Sequence, residues 1–121
     1  MIYLIPAIIW TLFFSALFIL PGSQLPGFSL LSYDKLGHMF FFIFFVLLWV
    51  WGITYKNNEV NSSKISLIIL LCGIFYGIWI ESLQYFLIPG RSGDLIDILA
   101  NIIGCLIGYW LSLRRLKNIG L

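Results

Sequence analysis

The sequence predicts an all-α integral membrane protein: a bundle of four transmembrane helices with both termini in the cytoplasm. Three observations predict it. The chain has 121 residues, of which 61% are apolar and 10% charged, whereas soluble domains run at about 45–50% and about 25%. A water-soluble fold of this size cannot hide so much apolar surface. Four apolar stretches each reach the roughly 20 residues that a span requires, and the basic residues gather on one side of them.

The first span covers about 2–20 and stops at Pro21-Gly22. It has no basic n-region and no small-x-small cleavage site, so a retained helix is expected rather than a signal peptide. The second covers about 36–55, before Lys56-Asn57-Asn58-Glu59. The third covers about 65–88, before Pro89-Gly90. The fourth covers about 95–113, before Arg114-Arg115. No linker, biased tract or repeat interrupts the chain, so residues 1–121 are read as one membrane domain.

Alternating spans put Lys56, Lys64, Arg114, Arg115 and Lys117 on one side and Lys35 and Arg91 on the other. The positive-inside rule makes the first side cytoplasmic. Trp49, Trp51 and Tyr55 in the second span, with Tyr109 and Trp110 in the fourth, fit an inner aromatic belt. Asn61-Ser62-Ser63 matches a glycosylation sequon but falls on the cytoplasmic side, so it is discarded. The seven basic residues form no stripe, which argues against nucleic acid as a partner. Cys72 and Cys105 lie inside apolar runs and read as small core residues, not a disulfide or a metal pair.

Polar residues converge on the outer side: Asp34, Lys35, His38, Glu81, Gln84, Arg91, Asp94, Asp97 and Asn101. On the third span Gly73, Gly77, Glu81 and Gln84 recur at helical spacing. On the fourth, Asp94, Asp97, Asn101, Gly104 and Gly108 do the same. Each stripe is polar toward the outside and glycine toward the inside. Matching depths pairs Glu81 with Asn101, Gln84 with Asp97, Gly77 with Gly104 and Gly73 with Gly108, the glycines allowing close approach. Asp34 and His38 add one face of the second span, giving an outward-opening pocket walled by three helices, with Arg91 on the loop above.

Asp34 also suits a helix cap, and Lys35 a snorkelling side chain. Glu81 is harder to explain in passing. An acid about two turns inside the hydrocarbon costs about 2.5–3.5 kcal/mol and points to function, although a structural network would also hold it. Glu81 and Asp97 suit a carboxylate pair, one acid and one base, with His38 sharing the proton work. Asp, Glu and His together also suit a divalent cation, but no metal-ligand spacing recurs, so no metal is assigned and the cofactor stays open. Arg91 and Lys35 suit an anionic headgroup. No serine or cysteine sits in a nucleophile elbow.

Asp34-Lys35 with His38 at a helix start, then Glu81 and Gln84, then Arg91 and Asp97-Ile98-Leu99-Ala100-Asn101, then Gly104 and Gly108, resembles the bacterial VanZ-like family. The resemblance runs from Asp34 to the end of the fourth span. It covers Asp34, Lys35, His38, Glu81, Gln84, Arg91, Asp97 and Asn101, while Asp94 stands where members vary more. It implies a multi-pass protein of the bacterial inner membrane whose outward cluster acts on the cell envelope. The family is named for a member associated with resistance to the glycopeptide teicoplanin.

The expected function is therefore binding or modification of an envelope headgroup. Glu81, Asp97 and His38 would be the catalytic groups, and Asp34, Lys35, Gln84, Arg91 and Asn101 would hold the substrate. The expected partners are membrane lipid and a lipid-linked envelope precursor. Two alternatives remain open: a non-catalytic envelope factor that alters antibiotic access, and a proton or ion relay that would require an oligomer.

Overall fold

The computed structural model describes residues 1–20, 31–57, 60–88 and 95–120, without the side chains of 31–34. A 3-10 turn, Ile2–Leu4, leads into α1, Ile5–Ile19. Pro6 occupies the first turn of α1, where its missing N–H removes no helical hydrogen bond. Three longer helices follow: α2, Leu31–Thr54; α3, Ser62–Leu87; and α4, Leu95–Asn118. α2, α3 and α4, and α1 together with its leading turn (Ile2–Ile19), are long and apolar enough to cross a membrane.

α2, α3 and α4 overrun the apolar stretches, because helical hydrogen bonding continues into the interface beyond the last lipid-facing residue. α3 starts at Ser62 because the Asn61 side chain caps it, accepting a hydrogen bond from the Lys64 N–H at 2.9 Å. Asp34 lies within α2, so it is not the N-cap of that helix.

α2 touches every other helix, and α1 and α4 flank the α2–α3 pair without meeting each other among the described residues. Tyr3 packs against Trp51 and Tyr55, and Arg115 and Ile119 share a cavity with Lys56. Both chain ends therefore lie at the end of the bundle where the basic residues gather.

The outside is apolar: Phe75 is 73% exposed and Phe86 77%, as suits a surface facing lipid. The inside mixes aromatics with polar groups. Hydroxyls are satisfied by their own helix: Thr11, Thr54, Ser66 and Ser82 each donate to the carbonyl four residues back. α1 presents Ala7, Thr11 and Ser15 at four-residue spacing and is also tethered by hydrogen bonds. Trp10 donates to the Phe41 carbonyl, Trp49 donates to Thr11, and Ser15 bonds Tyr76. Such interhelical bonds average about 0.6 kcal/mol each in a membrane. Trp49 thus turns inward from its expected place in the interfacial belt.

The glycine stripes are buried as expected, but their partners differ. A Cβ on Gly73 would meet Cys105 Sγ at 2.9 Å, and one on Gly77 would meet Asn101 Cβ at 3.0 Å. Gly104 and Gly108 instead face the backbone of α2, at the Met39 and Ile43 carbonyls. Asn101 therefore stands opposite Gly77, about one turn from the expected Glu81. The reason is steric: α3's glycines accept side chains of α4 as knobs in holes, while α4's glycines are used on α2. Cys105 is buried, but Cys72 is exposed on the outer face of α3, not in the core.

Candidate functional site

The one-turn shift in register brings Glu81 level with Asp97, and α2 inserts His38 beside them. His38 is fully buried and is touched from all three other helices. The Phe18 ring of α1 stacks on the imidazole, with centroids 4.5 Å apart and planes 13° from parallel. Asn101 Oδ1 of α4 lies 2.9 Å from His38 Nδ1, and Glu81 Oε1 of α3 lies 3.6 Å from the same nitrogen.

The amide fixes the state of the ring. Asn101 Nδ2 points to the Gly77 carbonyl at 3.4 Å, so Oδ1 faces the histidine. A carbonyl oxygen only accepts, so His38 Nδ1 carries the proton. In the neutral ring the lone pair is then on Nε2, the basic nitrogen.

Lys35, one turn before His38 on α2, places its ammonium 3.0 Å from Asp97 Oδ1. The Asp97 side chain is 8% exposed and that of Lys35 25%, so the ion pair leads from the surface into the cluster. One ligand atom each from His38, Glu81 and Asp97 lie within 4.8 Å of one another. Two carboxyl groups beside an imidazole can pass a proton among them, which is what acid–base chemistry requires. The same three donors, one imidazole and two carboxylates, also suit a divalent cation.

The structure thus brings Lys35, His38, Glu81, Asp97 and Asn101 together. The carboxylate pair forms; Glu81 and Asn101 meet at His38 Nδ1 rather than directly across the helix pair, and Gln84 turns away from Asp97. Gln84 is buried and turns to α1, donating through Nε2 to the Phe18 carbonyl at 3.0 Å. Arg91, Asp94 and the Asp34 side chain lie outside the described residues. Phe18 escaped the sequence reading because α1 has no charged residue to mark it. The only trace was an aromatic near the outer end of α1, at the depth of His38.

Gln84 pins the same segment of α1 that supplies Phe18. Gln84→Met is expected to cost about 0.6–1.7 kcal/mol and to loosen the stacking on His38. Thermal unfolding in detergent measures the first effect, and quenching or labelling at an introduced cysteine in α1 measures the second.

The fold and this cluster define a class: a four-span membrane protein with an acid–histidine–lysine cluster buried toward one end of the bundle. The chain belongs to the VanZ/LLP1 family, whose model matches residues 1–117. An uncharacterized protein of the fission yeast Schizosaccharomyces pombe is 36% identical over 92 residues, covering 73% of this chain and 54% of that protein. The chain thus spans about half the length of the curated relative it matches. No solved structure matches the chain.

Proposed function

We propose that the chain is a cell-envelope membrane protein that receives a phosphate-bearing lipid headgroup at the buried cluster and performs acid–base work on it. The observation that supports this reading is the convergence on His38 of Glu81, Asn101 and Phe18, with Asp97 and Lys35 adjoining, each helix contributing at least one group. Lys35 stands at the more exposed edge and draws in the anion, with Arg91 in the neighbouring loop of the sequence. Glu81, Asp97 and His38 hold the exchangeable proton, and Asn101 keeps the imidazole in one tautomer. A fungal relative that matches most of this chain favours a headgroup chemistry not confined to bacteria. The bacterial inner membrane and a role in teicoplanin resistance rest on the resemblance to the VanZ family.

Two experiments test the reading. Purified protein incubated with a lipid-linked envelope precursor should give a new product by mass spectrometry, absent with Glu81→Gln. Intact precursor with the wild type removes the enzymatic step. A sensitive bacterial host expressing the wild type should tolerate teicoplanin better than one expressing Glu81→Gln at equal membrane level. Equal protection by both moves the protein to the non-catalytic class.

A second reading, a divalent cation held by His38, Glu81 and Asp97, is favoured by their approach within 4.8 Å. Elemental analysis of purified protein decides it: a stoichiometric metal lost on Glu81→Gln supports a metal centre, and wild type without metal dismisses it.

A further inference from the structure

At the opposite end of the bundle, residues of α2 and α4 line a cavity of about 440 Å³. Its inner wall is apolar, with Leu47, Val50 and Leu116 among the lining residues, and its rim carries Lys56 and Arg115. Both cations are exposed, and neither has an acidic partner among the described residues. The rim is built, not incidental. Lys56 takes a left-handed backbone, φ 59°, where helix ends usually use glycine or asparagine. That turn ends α2 and sets the Lys56 ammonium over the Tyr3 ring, 5.8 Å from its centroid.

Two hydroxyls lie in the same cavity. Thr54 donates to the Val50 carbonyl and Ser112 to the Tyr109 carbonyl, each at 2.7 Å. Their protons are used, so they can only accept, and the charged donors toward a ligand are Lys56 and Arg115. An apolar wall beneath paired cations suits one kind of molecule: acyl chain below, phosphate above. We infer that this cavity is a binding site for an anionic phospholipid of the inner leaflet, its phosphate held between Lys56 and Arg115. The site is independent of the cluster around His38, with which it shares no residue.

The test is native mass spectrometry of the whole chain in detergent, titrated with dioleoyl phosphatidylglycerol or dioleoyl phosphatidylcholine. The wild type should hold one phosphatidylglycerol about tenfold or more tightly than phosphatidylcholine, given the contribution of each surface cation. Lys56→Gln with Arg115→Gln should erase that preference. Arg114→Gln with Lys117→Gln removes equal charge outside the cavity lining and should leave it intact. Loss of preference in both double variants would overturn the site in favour of general surface charge. Displacement of the lipid by millimolar inorganic phosphate would overturn the lipid as its occupant. Unchanged preference in the Lys56 and Arg115 variant would overturn the proposal altogether.

Discussion

Gly104→Ala is expected to destabilise the bundle by about 3 kcal/mol, at the top of the range for overpacked positions. The added methyl would fall against the Met39 carbonyl oxygen and within 3.0 Å of Phe42 Cβ. A backbone carbonyl inside a helix cannot swing aside as the tip of a lysine would. One turn on, a Cβ at Gly108 would lie 2.7 Å from the Ile43 carbonyl, so the α2–α4 seam is tight from Gly104 to Gly108. Relief requires the two helices to separate, and they carry His38 and Asn101. Gly104→Ala should therefore lower the melting temperature in detergent and break the cluster together. Gly37→Ala is the control. A Cβ there meets nothing within 4 Å, so alanine should be neutral or stabilising by about 0.5–1 kcal/mol. Equal melting of the two variants would refute the close α2–α4 contact.

Lys35→Met should cost about 2–3 kcal/mol. Breaking a buried ion pair by removing one partner costs about 3–5 kcal/mol, and the 25% exposure of the Lys35 side chain lowers that figure. Asp97, 8% exposed, would lose the ammonium 3.0 Å away. Adding Asp97→Leu should restore most of the loss, because an apolar pair of similar volume is often as stable as the ion pair it replaces. The double variant should thus fold like the wild type yet lack the activity of the site. Melting of both variants measures the coupling. A double variant as unstable as Lys35→Met would mean that Asp97 holds the fold through other contacts.

Much of this arrangement was legible in the sequence. Apolar length marks a span, so four helices follow directly. Helical spacing marks a face, so the burial of Glu81, Asp97, Asn101 and the glycines also follows. Spacing does not say which neighbour a face meets. Gly104 and Gly108 suited α3 and α2 equally, and only packing assigns them to α2. Antiparallel register across a short loop is uncertain by a turn, and one turn exchanges Asn101 for Asp97 opposite Glu81. The role of α1 was hidden because Phe18 and the Phe18 carbonyl carry no polar signature. The cavity at the basic end was hidden too. Thr54 and Ser112 lie far apart in sequence, and Lys56 and Arg115 look like ordinary flanking charges.

Glu81 decides whether the buried cluster is a working site or scaffolding. Glutamine keeps its shape and can accept a hydrogen bond, but it cannot share the proton. The most direct test is product formation from a lipid-linked envelope precursor by purified wild type and Glu81→Gln, with the two proteins matched in melting temperature. The cavity at the basic end is untouched by this substitution and contributes equally to both. Turnover lowered about a hundredfold or more in the variant, the lower end of what a general acid or base contributes, is the predicted result. Equal turnover would contradict a working acid at this position and leave Glu81 as part of the packing.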